Sequence, residues 1–119
     1  MPKPSKIELL LTDDTETEVS KKFLQGMVNR MIVSFHKYGR VADAYPQRVN
    51  AVESLKQRLD KYAETGNTEF LMDVGNFAMI EFMCPSHPNA HFEGTDSDAS
   101  PGRTTTAGEV TAAPNDAIS

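Results

Sequence analysis

The stretch that decides the fold is Glu69-Phe70-Leu71-Met72-Asp73-Val74-Gly75-Asn76-Phe77-Ala78-Met79-Ile80-Glu81-Phe82-Met83, followed by Cys84 and Pro85. Its apolar residues cover most of a helical circumference, and Glu69, Asp73 and Asn76 form one narrow polar stripe at spacings of four and three. A helix that is apolar nearly all round is usually the central one in its domain. Asn67 or Thr68 suits its N-terminus, and Pro85 and Pro88 bar its continuation, so the expected span is about 68–83.

Upstream, the pattern changes to that of helices with one wet face. Phe23, Leu24, Met27, Val28, Met31, Phe35 and Tyr38 recur at spacings of three and four, with Lys22, Gln25, Asn29 and His36 opposite. Thr15 and Glu18 have capping-box spacing, and Gly39 is a C-cap residue, which predicts a helix over about 14–38. Val49, Val52, Leu55, Leu59 and Tyr62 form the next stripe. With Pro46 at the first turn and Thr65-Gly66-Asn67 at the end, they predict a helix over about 46–64. The fold class read from these three segments is all-α: a small bundle over residues 1–92, including a short N-terminal arm around Ile7–Leu11.

Three helices give a thin core, and the central one is apolar on too many sides for two neighbours to cover. Completion of the bundle by homo-oligomerisation, as a dimer or higher, is therefore expected. Residues 93–119 are rich in Gly, Ser, Thr, Asp, Pro and Ala, and their composition predicts a disordered tail.

The composition narrows the function classes. The chain has 119 residues, 39% hydrophobic and 24% charged, enough apolar material for one domain. Its net charge of −5 argues against a general DNA or RNA coat, which needs a basic field. A single mononucleotide pocket needs only a few local cations. One cysteine, Cys84, allows no intrachain disulfide, and a reducing compartment is the simplest inference. The apolar run Ile7–Leu11 is interrupted by Glu8 and is too short for a signal peptide, and no run reaches the ~20 residues of a membrane span. A cytoplasmic location follows by elimination.

Two places offer chemistry. Glu69, Asp73 and Asn76 present hard oxygen atoms within about one and a half helical turns, the ligand type that Mg²⁺ takes when it bridges to substrate phosphates. The plainer reading of this stripe is a face turned to water. At the end of the first helix, His36-Lys37-Tyr38-Gly39-Arg40 sets Lys37 and Arg40 where they can pair with phosphate and Tyr38 where it can stack on a base. The plainer reading there is a helix C-terminus that favours cations. Arg58, at the edge of the second stripe, can snorkel or reach a ligand. His87 and His91 are separated by Pro88 and, with Cys84, do not make up a structural zinc set.

Lys37-Tyr38-Gly39 and the run from Glu69 to Ile80 together resemble the MazG-like superfamily of all-α nucleoside triphosphate pyrophosphohydrolases and its phage relatives associated with nucleotide modification. There, a K-Y-G or D-Y-G turn precedes an acidic helix of the L-x-D-V/L-A-N-Y-A kind. The resemblance covers about sixty residues, and the chain is also similar to small proteins of actinobacteria and their phages. It implies an Mg²⁺ site at Asp73 with Glu69 or Asn76 beside it, and a triphosphate near Lys37 and Arg40. The family's E-x-x-E pair on the first helix has no counterpart from Phe23 to Phe35. A nucleotide-handling domain that binds without turnover is therefore expected alongside a pyrophosphohydrolase. The competing expectation is a non-enzymatic phage or mobile-element protein that binds and modulates a host protein.

Overall fold

The computed structural model describes residues 5–95, and these are all-helical, with no strand. The tail read from composition lies outside the described residues beyond 95. The chain divides into two units, Met1–Pro88 and Asn89–Ser119. In the described part of the second unit, His91 Nδ1 lies 2.8 Å from the carbonyl oxygen of Asn89, and Nε2 lies 3.5 Å from Glu93.

Among the described residues the first unit holds four α-helices: α1 (Lys21–Tyr38), α2 (Val41–Ala44), α3 (Ala51–Thr65) and α4 (Glu69–Met83). The arm around Ile7–Leu11 has no regular structure and its side chains are exposed. The first helix begins later than the sequence predicts. Thr15 does not cap a helix with its side chain, which turns back to Thr12; only a 3₁₀ turn, Glu16–Glu18, follows. Val19 is extended, and the cap is supplied by Ser20, whose Oγ accepts from the Phe23 amide at 3.0 Å. At the other end Gly39 has a φ of 87°, and its N–H donates to the Phe35 carbonyl at 2.8 Å.

The second predicted helix is also shorter at its start. Pro46 follows a cis peptide bond and belongs to a turn, not to the first position of α3. Asn50 caps α3 instead, with Oδ1 accepting from the Glu53 amide at 3.0 Å. Ahead of Pro46, α2 closes its last turn through Tyr45 N–H to the Val41 carbonyl at 3.0 Å. Gly66, at φ 74°, ends α3 in the left-handed conformation expected of a C-cap. Asn67 Oδ1 accepts from the Glu69 amide at 3.0 Å and opens α4.

α4 packs against both α1 and α3, as its nearly all-round apolar surface requires. Gly26 and Gly75 mark a close approach of α1 and α4. A Cβ at Gly26 would come within 2.5 Å of the Met72 thioether, and one at Gly75 within 3.0 Å of Met27 Sδ. Full burial is scarce: Ala51 at 1% exposure and Ile80 at 5% are the buried hydrophobic residues among those described. Val28, Ile32 and Phe35 form an exposed apolar row on α1, and Phe82 and Met83 are exposed at the end of α4.

Candidate functional site

The C-terminal half of α1, the turn through α2, α3 and α4 enclose a cleft of about 850 Å³. That volume lies within the range of small-molecule pockets, ~300–1,000 Å³. Its basic wall has three origins. Arg30 and Lys37 come from α1, Arg40 and Arg48 flank α2, and Arg58 comes from α3. Asp73 is the sole carboxylate among the residues lining it, and Asn76, Phe77 and Ile80 continue the α4 side. Five cations thus converge on one concavity in a chain whose net charge is −5.

Asp73 is already neutralised. Arg30 grips it in a bidentate fork, Nε to Oδ1 at 2.6 Å and Nη2 to Oδ2 at 3.1 Å. The same guanidinium reaches Glu69 through Nη1 at 2.9 Å. Arg58 adds a longer ion pair to Asp73 Oδ2 at 3.5 Å and lays its guanidinium over the Phe77 ring, 5.6 Å from the centroid. The hydrogen bond to Asp73 is the main cause that holds Arg30 above the ordinary arginine range, against the opposing effect of burial. Tyr45, also on the cleft wall, has its phenol pushed up by burial, with the Arg58 charge opposing.

Asn76 is buried at 5% exposure. Its Nδ2 donates to the Met27 carbonyl at 3.0 Å, whereas its Oδ1 is buried with no hydrogen-bond partner.

The residues singled out in the sequence divide accordingly. Lys37, Tyr38, Arg40, Arg58, Asp73 and Asn76 all line the cleft. Tyr38 is 75% exposed, outside the core its spacing suggested. His36 and Glu69 do not line it: His36 sits edge-on to Phe35, and Glu69 serves as a second acceptor for Arg30. The stripe of oxygens does not fit a magnesium site as it stands. Both Asp73 oxygens face guanidinium groups, and among the described residues no group of three or more His, Cys, Asp or Glu converges on a common point.

Arg30, Arg48 and Tyr45 were not evident as site residues. For Arg30 a signal exists: it shares the face of Phe23 and Met27, so a cation interrupts a core stripe on a helix that contains no acid. Such a residue needs an anionic partner from elsewhere in the chain.

No family model matches this chain, and no curated protein or solved structure matches it. Among the described residues no helix is long and apolar enough to cross a membrane.

Proposed function

We propose that the chain is a small helical nucleotide-handling domain that holds a phosphate-bearing ligand in the basic cleft, binding it without turnover. One observation carries this reading: Lys37, Arg40 and Arg48 join the Asp73-bound Arg30 and Arg58 around a single concavity, with no further carboxylate on its wall among the described residues. Arg30 and Arg58 already share Asp73, so the charge left for a ligand rests mainly on Lys37, Arg40 and Arg48. Phosphate oxygens suit these donors, since arginine binds them by a fork and lysine as a point charge. Aromatic residues on the same wall, Tyr38 and Tyr45, offer faces for a base.

The reading keeps the nucleotide class implied by the resemblance to MazG-like proteins and moves the charge compensation from magnesium to arginine. Ligand binding by the folded state adds ~2.7 kcal/mol of stability at one hundred times Kd and so raises Tm. The test is a thermal-shift series with nucleoside mono-, di- and triphosphates, each with Mg²⁺ and with EDTA. A rise that grows with phosphate number and survives EDTA supports the proposal; a flat response to every nucleotide refutes it.

A second reading, a non-enzymatic phage-type interaction protein that acts in the cytoplasm on a host protein, is favoured by the exposed row Val28, Ile32 and Phe35 on α1 and by Phe82 on α4. The same surface suits a second copy of this chain, so a homo-oligomer belongs to both readings. Light scattering at micromolar concentration distinguishes the two occupants of that row: a dimer assigns it to self-association, and a 13 kDa monomer leaves it for another protein.

A further inference from the structure

The single chain leaves two apolar surfaces open to water. Val28, Ile32 and Phe35 lie at spacings of four and three on α1, about half exposed, on a different side of the helix from Phe23 and Gly26, which meet α4. At Phe35 this row opens into a groove of about 330 Å³, lined also by Val41, Ala42, Met83, Cys84 and Arg40. The other surface is the N-terminal arm. Ile7, Leu9, Leu10 and Leu11 are all exposed there, Leu10 almost entirely, on a backbone with no regular structure. Four large aliphatic residues in succession, interrupted only by Glu8, are costly to leave in water.

We infer that the arm of each chain docks on the α1 row of a second copy, so that two copies exchange arms in a two-fold dimer. The inference is independent of what the cleft holds, and it names the segment that mediates the self-association raised above. Charge chooses the occupant. Residues 5–20 carry Glu8, Asp13, Asp14, Glu16 and Glu18 against Lys6 alone, whereas α1 carries Lys21, Lys22, Arg30 and Lys37 with no carboxylate. Arg30 is held by Asp73. Lys22 and Lys21, which takes Glu16 of its own chain at 3.5 Å, precede the row, and Arg40 follows it. Pairing the rows of two copies directly would instead set one acid-free cationic helix against another. Length agrees as well. In extended form Ile7, Leu9 and Leu11 share one side and span about 13 Å, against about 10 Å of helix from Val28 to Phe35. Reciprocal exchange lets each copy contribute both its arm and its row, which brings the contact toward the ~800 Å² per partner of a stable pair.

Light scattering of the full chain at micromolar concentration tests this on the wild type, on Leu9→Asp/Leu11→Asp and on Ile32→Asp. None of these positions is buried, so circular dichroism should be unchanged in both variants. The expected mass is twice 13.1 kDa for the wild type and 13.1 kDa for each variant. An equimolar mixture of the two variants should form a dimer again, because the intact arm of one meets the intact row of the other. With one contact in place of two, its dissociation constant should exceed that of the wild type by about tenfold or more. An arm variant that stays dimeric overturns the exchange and leaves a dimer of another kind. A mixture that remains monomeric overturns it too, since arm and row then do not complement each other. A monomeric wild type overturns both the exchange and self-association through the row.

Discussion

The guanidinium of Arg30 forks onto both carboxylate oxygens of Asp73, at 2.6 and 3.1 Å, and spans from α1 to α4 across forty-three positions of sequence. The Asp73 side chain is 14% exposed, so its charge depends on that fork for compensation. Arg30 in turn has Glu69 as a second acceptor. Arg30→Ala therefore strands a mostly buried carboxylate and should cost about 2–4 kcal/mol in urea or guanidinium unfolding. Arg58→Ala removes the longer contact to Asp73 and the stacking over Phe77 but leaves the Arg30 fork in place, and should cost about 1 kcal/mol. Equal losses from the two variants would contradict this ranking.

The true start of α1 makes a second prediction. Ser20→Ala removes the acceptor for the Phe23 amide, and Asn50→Ala does the same for Glu53 in α3. Each should lower stability by about 1 kcal/mol. Thr15→Ala, in a residue whose hydroxyl bonds only to Thr12, should change it by less than half of that. Thermal melts of the three variants check the order.

Burial sets a third. Ile80 is among the few residues fully enclosed, and Ile80→Ala should cost about 2–4 kcal/mol. Phe82, two positions on, is 79% exposed. In a monomer Phe82→Ala should be nearly silent, within about 0.5 kcal/mol. A larger loss that depends on protein concentration would place Phe82 in an interface between copies.

The end of α4 should be sensitive to acid. The Ser86 amide donates to Glu81 Oε2 at 2.7 Å and the Ser86 hydroxyl bonds the same carboxylate, so Glu81 is held below the ordinary carboxylate range, chiefly by the amide. A carboxyl with a depressed folded pKa contributes stability above its unfolded pKa and loses it as pH falls through the folded value. The wild-type chain should lose stability below about pH 4.5 more steeply than Glu81→Gln, in melts across pH 3–7. Superimposable profiles would remove Glu81 from the account.

Much of the fold was legible because it rests on local signals. The stripes of α1, α3 and α4, the stops at Gly39, Gly66 and Pro85, and the central place of α4 all follow from period and cap chemistry. The helix starts were misplaced where two caps competed: Thr15 against Ser20, and Pro46 against Asn50. In each case the side chain that reaches an amide three residues on defines the first turn. The site was half legible. Lys37, Arg40, Arg58, Asp73 and Asn76 were read from residue type and spacing, and they line one cleft. Arg30 was missed because its role is set by a partner on another helix, and no periodicity within α1 carries that information. The same fork turns the carboxylates from metal ligands into the counter-charge of an arginine.

The most direct test of the cleft is a two-dimensional ¹H–¹⁵N titration of the labelled chain with ATP in EDTA, read at backbone amides and at the Asn76 side-chain amide. The account predicts saturable shifts confined to the C-terminal half of α1, the turn through Arg40 and Arg48, and Asp73–Ile80, weakened in a Lys37→Ala/Arg40→Ala/Arg48→Ala variant that still gives a folded spectrum. Unchanged spectra with ATP and with the other nucleoside triphosphates, or shifts elsewhere that the triple variant retains, would contradict it.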